Sequence, residues 1–261
     1  MKTIHLKMET QENIMRNLLN IPNYTVDPHY SDKTQNVPFH GDHYTISYIS
    51  TYLKEAEIFI ETGTAYADSS HYVAHNFSYP IYTNEPWDER YNLSYGVLKN
   101  FSNVTLSKTP SPEFFKEIEQ KEENLFDRTA VFWLDAHGDW IEEDGTHRFS
   151  WPLPLEIDYI TKNFRKYAIF IDDFYNPYNT NHKYDEYRIP GKKLICGPDM
   201  IRSNLNGAKM YHLNHNEITS RMQPFVVGVG FITNMELIEH EEPIVENDGR
   251  GFEEYFIYKS A

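Results

Sequence analysis

Ala130-Val-Phe-Trp-Leu-Asp135-Ala-His137-Gly-Asp139-Trp140 and, some forty residues later, Ala168-Ile-Phe-Ile-Asp172-Asp173-Phe174 are the two stretches on which the fold turns. Each is a short apolar run, rich in aromatic and β-branched side chains, that stops abruptly on carboxylates. Buried parallel strands read this way, because both of their faces are covered. In an open α/β sheet the C-terminal edge of such strands is where ligands sit. If the two strands are neighbours, Asp135, Asp172 and Asp173 meet at one point, and three carboxylates held together call for a cation, a proton or a basic ligand.

Working outward, the same grammar recurs upstream. Ile58-Phe-Ile-Glu61-Thr-Gly63-Thr64 predicts a strand that ends on an acid and a glycine, with Asp68-Ser69-Ser70 as the cap of a following helix. The glycine lets the backbone approach a ligand, and the helix start offers N–H groups to an anionic group. Pro80-Ile-Tyr-Thr-Asn-Glu85 predicts the next strand, again ending on a carboxylate. An acid about 20 residues past a glycine turn is what a ribose diol requires, since one carboxylate accepts from both hydroxyls. Asn103-Val-Thr-Leu106 predicts a third strand, and Ser111-Pro112-Glu113 opens a helix for which Ser111 is the expected N-cap. A helix over the register Leu153, Ile157, Ile160 and Phe164 separates the two opening stretches.

Strand and helix alternate for over one hundred residues, which predicts a doubly wound, mostly parallel α/β sheet in a single domain over 43–261. Two late strands, near Met210–Leu213 and Phe225–Ile232, predict an antiparallel hairpin at the sheet edge. Glu239 to Asp248 reads as an acidic connection, and Phe252 to Tyr258 as a further strand. Residues 1–42 read as a helix followed by an irregular, proline-bearing and aromatic arm or lid.

Composition narrows the function classes. The chain has 261 residues, 40% hydrophobic content and a formal net charge of −15. That charge repels a phosphate backbone, and no compensating basic patch is evident, so no nucleic-acid partner is expected. The N-terminus lacks the apolar core of a signal peptide and no apolar run is long enough to cross a bilayer. Cytoplasmic residence without a membrane partner is the expectation. The single cysteine, Cys196, excludes an internal disulfide and a cysteine-based metal motif. The Asn-x-Ser/Thr triplets at Asn23, Asn76, Asn92 and Asn103 read as chance in that setting. A homo-oligomer stays open.

Three constellations carry chemistry. His71 and His75 are four apart on a predicted helix, as zinc ligands are, but the glutamate of a metalloprotease motif is missing and a solvated face is the simpler reading. Asp135-Ala-His137-Gly-Asp139 is similar to the binuclear metal run of arginase-type ureohydrolases, without that family's upstream Gly-Gly-Asp-His segment.

The strand ends taken together resemble the class I S-adenosylmethionine-dependent methyltransferases, over about residues 45 to 235, with the late hairpin in the place of that family's antiparallel sixth and seventh strands. The resemblance implies a Rossmann-like seven-stranded sheet. It assigns S-adenosylmethionine contacts to Glu61, Gly63, Thr64, Asp68, Ser69, Glu85 and Ser111. By likeness to metal-dependent small-molecule O-methyltransferases, it assigns Mg or Mn to Asp135, Asp172 and Asp173. His137, beside Asp135, is the candidate base, with a loop-holding hydrogen bond as its other reading. The acceptor implied is a small hydroxylated or sugar-like molecule. Two departures from the family pattern stand out: Ala65 and Ala67 occupy positions where glycines are common, and Thr109-Pro-Ser111 stands where an acid or amide often approaches adenine. A member that keeps the fold as a binding protein without turnover is the alternative that these departures raise.

Overall fold

The structure, a computed structural model, describes residues 38–41, 43–141, 147–177, 182–189, 192–213, 227–237, 244–247 and 253–256. Most of the sequence-predicted arm lies outside them. Its last turn, Pro38–Gly41, is a 3-10 turn whose Phe39 is buried edge-on to Trp133, Tyr72 and Phe59.

Helix α1 (His43–Leu53) leads into β1 (Ile58–Thr62), α2 (Asp68–Asn76), β2 (Ile81–Asn84), α3 (Asp88–Leu98), β3 (Val104–Ser107), α4 (Glu113–Lys121) and β4 (Thr129–Leu134). A hairpin follows, β5 (Gly138–Ile141) with β6 (His147–Ser150), then α5 (Leu153–Asn163) and β7 (Lys166–Ile171). A second hairpin pairs β8 (Glu186–Ile189) with β9 (Lys192–Ile195). The short α6 (Pro198–Ile201), β10 (Lys209–Leu213), β11 (Val229–Thr233), β12 (Ile244–Asn247) and β13 (Glu253–Phe256) complete the described elements.

The main sheet has the order β12-β13-β10-β11-β7-β4-β1-β2-β3. From β3 to β7 the neighbours run parallel, while β11 is antiparallel to both β7 and β10. The seven strands from β3 to β10 form a Rossmann-like, mostly parallel sheet with an antiparallel pair. Two sequence expectations are corrected here. The late hairpin is interior to the sheet, because β13 and β12 extend it beyond β10. The acidic connection contains strand β12, whose pairing with β13 outweighs its local charge. The polar stretches after β4 and β7 fold as the two hairpins.

Alternation along the central strands explains the layering. In β1, Ile58 and Ile60 enter one core with Phe114, Phe115 and Ile118 of α4 and Leu153, Ile157 and Ile160 of α5. Phe59 enters the other core, with Ile46, Tyr48, Ile49, Tyr52 and Leu53 of α1 and Tyr72 and Val73 of α2. Every residue of β1, β2 and β4 is buried, as a strand covered on both faces requires. Each large apolar side chain so buried contributes about 1.5–3 kcal/mol. The aromatic wealth of the sequence is largely packing: Tyr48, Tyr52, Phe170 and Phe231 form one edge-to-face and stacked group.

Candidate active site at the C-terminal edge of the sheet

Register places the strand ends side by side. Thr62 of β1 is the partner of Asn84 on β2 and of Leu134 on β4, and Leu134 is the partner of Ile171 on β7. The ladder continues one residue further, with Asp135 N donating to Thr62 O at 2.8 Å and Asp172 N to Leu134 O at 3.1 Å. At this edge lies a cavity of about 220 Å³ lined by, among others, Gly63, Asn84, Glu85, Trp87, Ser111, Asp135, His137 and Tyr187.

The turn after β1 is built from backbone. Gly63 has φ +82, and a Cβ there would sit 2.2 Å from the Asp135 carbonyl oxygen, so only glycine lets the turn lie against the end of β4. Ala65 and Ala67 have φ 47 and 69. The two departures from the glycine pattern therefore keep the left-handed backbone that glycine adopts freely, with a strain of about 1–2 kcal/mol each.

The acids of this half hold protein groups. Glu61 is buried; its Oε2 accepts from Ser70 Oγ at 2.5 Å and Thr83 Oγ1 at 2.8 Å. Burial pushes its carboxyl up to about 7, against the lowering by those two hydroxyls. The Thr64 hydroxyl is hydrogen-bonded to that of Thr83. Glu85 accepts from Ala65 N through Oε2 at 2.9 Å and from Trp87 N through Oε1 at 3.0 Å, and burial raises its carboxyl pKa. It thereby ties the glycine turn to the start of α3 while lining the cavity. Helix α2 begins at Asp68 with Ala67 as N-cap and no side-chain cap, which corrects the expected cap; Ser69 Oγ accepts instead from Phe39 N at 3.0 Å. Ser111 does not cap α4 either: the helix starts at Glu113 with no side-chain cap, and the Ser111 hydroxyl is buried at the cavity wall.

The other half is built from side chains. Ligand atoms of Asp135, His137 and Asp173 lie within 4.8 Å of one another, the one group of three or more potential metal ligands found among the described residues. Asp172, fully buried, stands outside that group, as do His71 and His75, whose rings stack on α2 with Phe101 edge-on to His71. Asp173 has φ 46, a left-handed conformation that aspartate tolerates better than most residues. The side chain of Asp139, on which the ureohydrolase likeness depends, lies outside the described residues.

Asp185 joins this half without having been singled out in the sequence. Its backbone N donates to Asp173 O at 2.9 Å, and its backbone O accepts from Cys196 N at 2.9 Å, so the base of the β8/β9 hairpin is stitched to the strand end of β7. His137 Nε2 lies 3.7 Å from Asp185 Oδ2, and Tyr187 Oη donates to that same oxygen at 2.6 Å. Trp151, after β6, stands edge-on to Tyr187 and tilted to His137. The signal available in the sequence was Glu186-Tyr-Arg-Ile-Pro190-Gly191-Lys-Lys-Leu-Ile195, two short alternating runs around a two-residue Pro-Gly turn. Burial, and then the fields of Asp173, Asp185, Asp172 and Asp135, push the Cys196 thiol well above its ordinary value.

No family model matches the chain, and no curated protein matches it. Among solved structures it is similar to an O-methyltransferase from Bacillus cereus in complex with SAH, at 14% identity and a TM-score of 0.48, over 88% of this chain and 93% of that one. It is similar to TomG, an O-methyltransferase from Streptomyces achromogenes involved in tomaymycin synthesis, in complex with SAM, at 11% identity and a TM-score of 0.46, over 85% and 86% of the two chains. An rRNA methylase from Streptococcus thermophilus aligns at 12% identity and a TM-score of 0.42, over 74% of this chain and 96% of that one. At these identities and TM-scores they say what the chain is similar to and no more. Among the described residues no helix is long and apolar enough to cross a membrane.

Proposed function

We propose that this chain is a methyltransferase that takes the methyl group of S-adenosylmethionine and delivers it to an oxygen of a small hydroxylated acceptor, with help from a divalent cation. The observation that carries the reading is the single cavity shared by a glycine turn, a strand-end acid and a carboxylate–imidazole group, that is Gly63, Glu85, Asp135 and His137. Glu85 is assigned to the ribose hydroxyls: each carboxylate oxygen already takes one backbone N–H and keeps a further lone pair. The Gly63 turn, with no side chain, lets the donor approach the sheet edge. Thr64, Asp68 and Ser69 are assigned to shaping that turn behind the cavity, and Glu61 to holding α2 against it.

The donor set fits a cation. Two carboxylates and one imidazole within 4.8 Å suit Mn²⁺ at least as well as Mg²⁺, because imidazole is the softer ligand. Asp135, His137 and Asp173 are the residues assigned to hold it, with His137 in place of the Asp172 expected from sequence. When bound, such an ion lowers the pKa of a coordinated hydroxyl and fixes its direction. An imidazole that gives one nitrogen to a cation donates from the other, and Asp185, whose Oδ2 lies 3.7 Å from Nε2, is the carboxylate assigned to approach it. Tyr187 in turn holds Asp185. Trp151 and Tyr187, edge-on to one another beside His137, are assigned to the acceptor side, where catalysis comes from positioning.

Calorimetric titration of S-adenosylhomocysteine with and without Mn²⁺ tests the donor half, and methyl transfer across a panel of small hydroxylated acceptors tests the rest. Binding of the nucleoside with Mn²⁺-dependent transfer is expected. A chain that binds neither S-adenosylmethionine nor S-adenosylhomocysteine with metal present is not a methyltransferase. Nucleoside binding without any product across the panel marks a fold retained for binding alone.

A further inference from the structure

Glu61 and Thr83 are register partners on β1 and β2, and their side chains belong to a run of hydroxyls that reaches the glycine turn. Glu61 Oε2 takes the proton of Thr83 Oγ1 and, from α2, that of Ser70 Oγ. Thr83 has one proton to give, so in its contact with the Thr64 hydroxyl it accepts, and Thr64, one residue past Gly63, donates. Three hydroxyl dipoles therefore run toward one carboxylate oxygen, and all four residues are buried. Such convergence solvates an ionised carboxylate.

A countercharge is what these surroundings lack. The charges that bear on Glu61 are those of Asp68, at the start of α2, and Glu85, past β2, and both are negative. Trp133, its partner on β4, carries no charge. Burial above all, and then the two acids, raise the carboxyl to about 7 against the lowering by Ser70 and Thr83. Glu61 is thus hydrogen-bonded as an anion yet placed among anions, and a positive charge nearby would favour its ionised form. Glu85 shows the route for such a charge. It lines the cavity and its own charge is felt at Glu61, so a cation held beside Glu85 is felt there with the opposite sign.

We infer that Glu61 is the residue by which the cavity tells S-adenosylmethionine from S-adenosylhomocysteine. This rests on the methyl-donor reading. The two molecules differ by one methyl group and one positive charge on sulfur, so contacts to the ribose or the base do not separate them. When the sulfonium enters, Glu61 releases its proton to solvent and the hydroxyls face a full negative charge. The neutral thioether left after transfer exerts no such pull, and the carboxyl takes a proton back. Binding of the cationic donor therefore tightens, relative to the product, as pH rises toward 7, and the preference levels off above that value.

Calorimetric titration of the full chain with each ligand, Mn²⁺ present throughout, in buffers of different ionisation enthalpy over about pH 5.5 to 7.5, counts the protons released. S-adenosylmethionine is expected to release more than S-adenosylhomocysteine, and its relative affinity to rise roughly tenfold over that range. Glu61→Gln, which keeps an oxygen for Ser70 and Thr83 but no charge, is expected to equalise the proton counts and hold the affinity ratio within about twofold. Glu156→Gln removes the buried acid on the other face of the sheet, beside Thr62, and is expected to leave the difference as in wild type. Equal proton counts with a pH-independent ratio in wild type overturn the inference, as does a difference that survives Glu61→Gln or disappears in Glu156→Gln. A chain that binds neither ligand at any pH overturns the methyl-donor reading itself.

Discussion

The two halves of the sheet edge use carboxylates in opposite ways. After β1 and β2, Glu61 and Glu85 are spent on the protein itself: Ser70 and Thr83 on one, two backbone N–H groups on the other. After β4 and β7, Asp135, Asp173, Asp172 and Asp185 crowd around one buried thiol and one imidazole. The first half is a backbone mould whose acids are already tied to protein groups. The second is a store of negative charge, and such a store earns its stability only when a cation or proton enters.

Changing the mould should do the greater damage. Gly63→Ala sets a Cβ against the Asp135 carbonyl at a φ of +82, and is expected to cost about 3 kcal/mol or more, read as a collapse of the chemical-denaturation midpoint. A variant that unfolds like wild type would mean the two turns can slide apart. Changing the store should leave folding alone and strike binding. Asp135→Asn and Asp173→Asn are each expected to weaken Mn²⁺ by about 100-fold in an equilibrium titration, with unchanged or higher melting temperature, because like charges are thinned. Asp172→Asn, outside the group, is expected to spare Mn²⁺ affinity, and an equal loss there would restore the trio expected from sequence.

The buried acids also set a pH dependence. Glu61 and Glu156 ionise near 7 in the folded chain and near 4.5 when unfolded, so between those values the folded state holds more protons. Stability is full below about 4.5, falls as pH rises through the window, and levels off above 7, by up to about 1.4 kcal/mol per pH unit for each group. Denaturation midpoints for Glu61→Gln between pH 5 and 8 should show a flatter slope than wild type. The smallest effect is expected at Ala65→Gly and Ala67→Gly: relief of the left-handed strain, less the added freedom of the unfolded chain, should stabilise each by about 0.5–1 kcal/mol.

What was legible in the sequence follows from range. The central strands announce themselves because two-sided burial writes an apolar run, and their terminal acids mark the edge, so Glu61, Glu85, Asp135, Asp172 and Asp173 were visible from local pattern alone. Which of the two adjacent aspartates joins Asp135 and His137 was not visible, since a left-handed residue at Asp173 turns the chain just past β7. The hairpins were missed because four-residue strands carry too little alternation to outweigh their charges. Asp185 was missed with them, being brought to His137 by pairing over a long stretch of chain. Ser111 was read as a cap from its neighbours, yet Asn84 and Glu156, distant in sequence, surround the edge it occupies.

Cys196 gives the chain a gauge of its own opening. It is the sole thiol, it is fully buried, and the aspartates about it oppose the thiolate that reagents attack. Alkylation can then advance only as fast as the acid-rich edge comes apart, so one labelling clock reports how firmly that edge is shut. A cation or nucleoside that truly seats there should slow the clock before any product is sought.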